Sequence, residues 1–107
     1  MENGSSFIPD LLKQLALASN RAPGYFDEPP EETFRRHVWV NPFWEDDIGE
    51  IIALMGEDRV VYGSDWPHME GLVQPRDVVS KIPNIEKQAR GKFLYENAKF
   101  LNTLRPA

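Results

Sequence analysis

Asp65 stands in the stretch Tyr62-Gly63-Ser64-Asp65-Trp66-Pro67-His68, directly after a short, mostly apolar run that reads as a buried strand. Parallel α/β proteins gather their chemistry beyond the C-terminal ends of their strands. A carboxylate at that edge suits a divalent cation, or takes a proton from metal-bound water. It equally suits the cap of a following helix. Gly63 lets the backbone turn closely, and Trp66-Pro67 stiffens the loop and offers an apolar wall. His68, three residues beyond Asp65, has the chemistry to bind a metal, to hold a substrate anion or to face solvent.

A second group lies after an earlier strand-like run. Phe43 and Trp44 are placed to line an apolar pocket or to pack in the core, and Glu45, Asp46 and Asp47 follow them. Three carboxylates in a row are metal-ligand types, but Asp47 already suits a helix cap and the other two need only water. His37 opens its run, far from the C-terminal edge, and reads as structural. No phosphate-binding glycine loop, nucleophile elbow or HExxH motif is present.

These residues need elements to hold them. Ile8, Leu11, Leu12 and Leu15 share one face at helical spacing, with Pro9 in the first turn, and this helix fades near Asn20. Glu31 to Arg36 form a short helix opened by Pro30. His37-Val38-Trp39-Val40-Asn41 reads as a strand stopped by Pro42. Asp47 caps a helix whose buried face is Ile48, Ile51, Ile52 and Met55, with Glu50 in capping-box spacing and Gly56 at its end. Arg59-Val60-Val61-Tyr62-Gly63 is the second strand. Pro75 opens a helix through about Lys81, and terminal helical segments run over Ile85 to Leu94 and Glu96 to Leu101. Strand, helix, strand in that order implies a parallel pair, which needs further neighbours.

The chain has 107 residues, 41% of them hydrophobic and 27% charged, which suits one globular unit over residues 1–107. The net charge of −5 argues against nucleic acid as the main partner. The first 75 residues hold 14 acidic and 5 basic side chains, net −9, and the rest hold 3 acidic and 7 basic, net +4. No apolar run approaches the roughly 20 residues of a membrane span, and no basic stretch leads into a signal-peptide core. With no cysteine there is no disulfide and no thiolate metal site, which suits the cytoplasm. A closed (β/α)8 barrel typically takes about 250 residues, more than this chain holds.

Val61-Tyr62-Gly63-Ser64-Asp65-Trp66-Pro67-His68, followed by Glu70-Gly71, resembles the last barrel strand of the amidohydrolase-related family of metal-dependent hydrolases and decarboxylases. Glu96-Asn97-Ala98-Lys99-Phe100-Leu101 is similar to that family's terminal helix. His37 to Trp44 resembles the preceding strand and loop, and Glu2-Asn3-Gly4-Ser5-Ser6 the end of the strand before that. The resemblance implies an α/β fold, part of a (β/α)8 TIM barrel, comprising about strands six to eight with their helices. It implies that Asp65 is a ligand of a catalytic divalent metal, usually zinc, and helps deprotonate the attacking water. His68, Trp66, Trp44 and Phe43 would then lie around a small-molecule substrate.

The departures matter. The family's other ligands come from a paired-histidine or Glu-x-His motif on the first strand and from histidines on middle strands, and this sequence has two histidines and no such pair. One carboxylate and one imidazole fall short of the three protein ligands of a catalytic zinc site. The expectation is therefore the C-terminal part of a metal-dependent hydrolase or decarboxylase, inactive alone. The alternative is a non-catalytic interaction module that self-associates or complements a missing N-terminal part, since open strand edges and bare apolar faces favour pairing.

Overall fold

The computed structural model describes residues 4–43, 46–63, 74–82 and 85–103. Helix α1, Ile8–Arg21, carries Pro9 in its first turn, where a missing N–H costs nothing. Its buried residues are Ile8 and Leu12. Helix α2, Pro30–His37, has Glu31 and Glu32 in its first turn and Arg35, Arg36 and His37 in its last, complementing the helix dipole at both ends. Helix α3, Ile48–Met55, is capped by the Asp47 side chain, which accepts from the Glu50 N–H at 3.1 Å. It ends at Gly56, whose φ of 90° lies where side chains are strained.

The two expected strands come down to one parallel bridge between Val40 and Val60. Val40 N–H donates to the Arg59 carbonyl, and Val61 N–H to the Val40 carbonyl, both at 2.8 Å. No longer ladder forms among the described residues. The expected parallel sense and the connecting helix are both present, but the first strand does not begin at His37, which is the last residue of α2. A parallel pair without flanking strands has too few partners to extend its ladder.

The C-terminal part also departs from expectation in detail. Residues Pro75–Lys81 form a 3-10 helix rather than an α-helix. The two terminal segments merge into one run: α4 (Lys87–Gly91), a π-helical turn (Lys92–Glu96) and α5 (Asn97–Thr103). One core joins α1, α3, the second bridged segment, the 3-10 helix and the π turn. Ile8 and Leu12 of α1, Ile48, Ile51 and Met55 of α3, Val60, Val78 and Ile82, and Phe93 of the π turn form one buried cluster. Val38, Val40 and Tyr62 pack against it, so these alternate residues of the bridged segments face the helices. Burying an aliphatic side chain is worth about 1.5–3 kcal/mol, and this cluster holds the bridge in place.

Candidate functional site

The ends of three segments meet at one end of the bridged pair. Gly4 adopts φ 68°, and a Cβ there would come within 3.3 Å of the Phe43 ring. Gly63 lies against the Asn41 side chain, so closely that a Cβ would sit 2.6 Å from Asn41 Nδ2. Between them, one carboxylate gathers the loops. Asp46 Oδ2 accepts from Ser5 N–H at 3.0 Å, from Ser5 Oγ at 2.7 Å and from Phe43 N–H at 2.7 Å. Ser5 is almost wholly buried, at 1% exposure. Charge-assisted bonds of this kind are roughly twice as strong as neutral ones, so Asp46 locks residues 4–5 to the turn at Phe43. A hollow of about 200 Å³ beside this knot is lined by Ser5, Pro9, Asp46, Asp47 and Glu50.

Phe43 belongs to this rim. Its ring rests beside Gly4 and is 37% exposed, so one side is free toward solvent. Asp65, Trp66, His68 and Trp44, the other residues assigned to a site from the sequence, lie outside the described residues, as does Glu45. His37, expected to open a strand, is instead the exposed last residue of α2, with its Nδ1 2.8 Å from the Thr33 carbonyl. Asp47 serves as the cap of α3. Asp46, expected to need only water, instead binds Ser5 and Phe43. A carboxylate three residues past Phe43 can reach back to that residue's N–H, as the acidic residue of a capping box reaches back to its N-cap.

The opposite end of the pair is held by arginines. Arg35 Nε donates to the Leu54 carbonyl at 2.7 Å and its guanidinium pairs with Glu32. Arg59 Nε donates to the Arg35 carbonyl at 2.9 Å, and its guanidinium stacks 4.3 Å from the Trp39 ring centroid. Arg36 pairs with Glu28. The Thr33 hydroxyl and then Arg36 hold the Glu28 carboxyl below its ordinary range. A groove of about 710 Å³ runs here, but these three cations already have partners within the chain. Their arrangement reads as a structural network rather than an anion site.

The terminal run closes on the second bridged segment. Asn97, 5% exposed, donates through Nδ2 to the carbonyls of Glu57, at 2.7 Å, and Val60, at 2.8 Å. Tyr62 N–H donates to the Phe93 carbonyl at 3.1 Å. Lys92 bridges Glu57 at 2.6 Å and Asp58 at 2.8 Å, and Asp58 first, then Glu57, pushes its ammonium pKa up.

With this geometry in hand, the chain can be set beside known proteins. Residues 12–101 match the amidohydrolase family. Seven chains of known structure match it. One is the crystal structure of an amidohydrolase from Mycobacterium avium subsp. paratuberculosis K-10, 40% identical, with a TM-score of 0.87 over 94% of this chain. The chain spans 26% of that protein's length. No curated protein gives a significant match.

Proposed function

We propose, for a chain that belongs to the amidohydrolase family, that it is the C-terminal part of a metal-dependent hydrolase or decarboxylase acting on a small molecule in the cytoplasm. The parallel bridge, the helix between its two segments and the cluster of segment ends at Asn41, Phe43 and Gly63 support a partial (β/α)8 barrel, of about strands six to eight. The observation that carries the reading is the match over residues 12–101, which includes the Gly63-Ser64-Asp65 motif, whose first residue makes the Asn41 contact.

In this reading Asp65 is the chain's metal ligand and proton acceptor. His68, Trp66, Trp44 and Phe43 surround the substrate, and the aromatic rim favours an apolar or aromatic small molecule. The bound divalent metal, zinc by family habit, supplies an activated water at neutral pH. The residues of this chain do not fit a complete centre of that kind. A catalytic zinc takes three protein ligands. The sequence has two histidines, and His37 lies on α2, at the end of the bridged pair away from Gly63. Among the described residues, no three His, Cys, Asp or Glu side chains come together. The chain by itself is therefore inactive.

The purified chain tests this directly. Metal analysis and assays with simple esters, lactones and amides are expected to find neither stoichiometric zinc nor turnover. Stoichiometric metal, with turnover abolished in Asp65→Asn, would overturn the inactivity.

A further inference from the structure

Side chains alternate across an extended segment, so the bridged pair has two faces. One face is turned to the helices: Val60 is fully buried in the core, and Val38, Val40 and Tyr62 pack against it. Trp39, Asn41, Arg59 and Gly63 belong to the other face, and there they meet in two pairs. At one end the Arg59 guanidinium lies over the Trp39 ring. At the other end the Asn41 carboxamide lies on Gly63, with its Nδ2, Cγ and Oδ1 all within 3.5 Å of where a Cβ would stand. The Val40–Val60 bridge sets Asn41 level with Val61, so its side chain leans onward to Gly63, where the segments end. The amide fills the place that a side chain at position 63 would take, which only glycine allows.

The side chains at this end divide the work. Asp46 is engaged with Ser5 and Phe43 and holds the loops. The Phe43 ring presents a half-exposed apolar surface. Asn41 is exposed, carries no charge, and offers both a donor and an acceptor. Small-molecule sites fix orientation with a few such polar groups set in an apolar and aromatic lining. We infer that Asn41 is a substrate-contacting residue of the site. It binds an uncharged polar substituent (an amide, carbonyl or hydroxyl) on a small molecule whose aromatic body rests on Phe43. A neutral carboxamide suits such a group, because it offers no opposite charge to offset the desolvation of an ion. Gly63 is the residue that makes room for it. The substrate role rests on reading these segment ends as the mouth of the site; the packing of Asn41 on Gly63 does not.

Nuclear magnetic resonance on the whole isotope-labelled chain, without metal, tests this with benzamide, a ring that carries one neutral amide. The side-chain amide of Asn41 and the N–H of Phe43 are expected to shift saturably, with a Kd of about 1–10 mM, the range open to so small a ligand. Asn41→Ala is expected to weaken binding about 3–10-fold, the worth of one hydrogen bond, with an unchanged melting curve because the residue is exposed. Gly63→Ala, whose Cβ competes with the amide for its place, is expected to weaken binding as much while Asn41 is intact. Benzoate, the same ring with a charge, is expected to bind less tightly than benzamide. No saturable shift at Asn41, equal affinity in Asn41→Ala, or tighter binding of benzoate would overturn the inference. Because neither metal nor turnover enters the readout, a failure here is distinct from a failure of Asp65 to bind metal.

Discussion

The side-chain amide of Asn97 donates to the backbone carbonyl of Val60 at 2.8 Å, across 37 residues of sequence. Its second N–H goes to Glu57, at 2.7 Å, so one buried side chain fastens the terminal helix to the turn that feeds the second bridged segment. An asparagine amide has two donors, and both are used here. The segment that leads into the Gly63-Ser64-Asp65 motif is thereby held from behind by α5.

Asn97→Ala should cost about 1–3 kcal/mol, because it leaves two carbonyls without their donor. Thermal unfolding of the purified chain should show a midpoint lowered by roughly 4–24 °C, at about 4–8 °C per kcal/mol for a domain of this size. A loss below 0.5 kcal/mol would mean that water replaces the amide freely. Asn97→Asp should be worse than Asn97→Ala, since it sets an acceptor against two carbonyls.

Asp46→Ala removes three hydrogen bonds from Ser5 and Phe43 at once. We expect about 1–3 kcal/mol of destabilisation, together with faster amide exchange at Ser5 and Phe43. Asp46→Asn should recover only part of this, because a neutral acceptor makes weaker bonds. Exchange at Ser5 unchanged in Asp46→Ala would show that the lock does not order the rim.

Acid should unfasten Glu28. Its carboxyl titrates below the usual 4.5 because Thr33 and Arg36 stabilise the anion. A carboxylate whose folded pKa is lowered adds stability above its unfolded value and loses it as pH falls through the folded one. The difference in melting temperature between the native chain and Glu28→Gln should therefore be constant above about pH 5.5 and shrink below pH 4.5. Lys92 behaves in the opposite sense. Its raised pKa adds stability that is complete below its ordinary 10.5 and fades only at higher pH, so Lys92→Met should lower the melting point by the same amount from pH 6 to pH 9.

Phe93→Ala should be among the most damaging single changes. The ring is 1% exposed, lies 5.8 Å from Tyr62 between centroids, and sits on the π turn. Truncating a buried phenylalanine costs about 3–5 kcal/mol, a large share of the 5–15 kcal/mol of a typical domain. Circular dichroism should find the variant substantially unfolded near 40 °C. A cooperative melt at the native midpoint would contradict this placement.

The sequence by itself determined where α1 begins and where α3 begins and ends. Pro9, Asp47 and Gly56 act through local rules: a ring that fits a first turn, a carboxylate that caps an N–H three residues on, a residue free to take positive φ. The parallel sense of the pair was also legible, because a connecting helix leaves little choice. The family resemblance could be read from short motifs at Asp65 and Asn97, since each stands in a distinctive run of residue types. The extent of the strands, the π turn and the roles of Asp46 and Asn97 were decided only in three dimensions. Val40 finds its partner 20 residues away, Ser5 finds Asp46 across 41 residues, and Asn97 finds Val60 across 37. Such bonds depend on which surfaces the apolar core around Phe93 and Val60 draws together, and neither periodicity nor spacing along the chain records that.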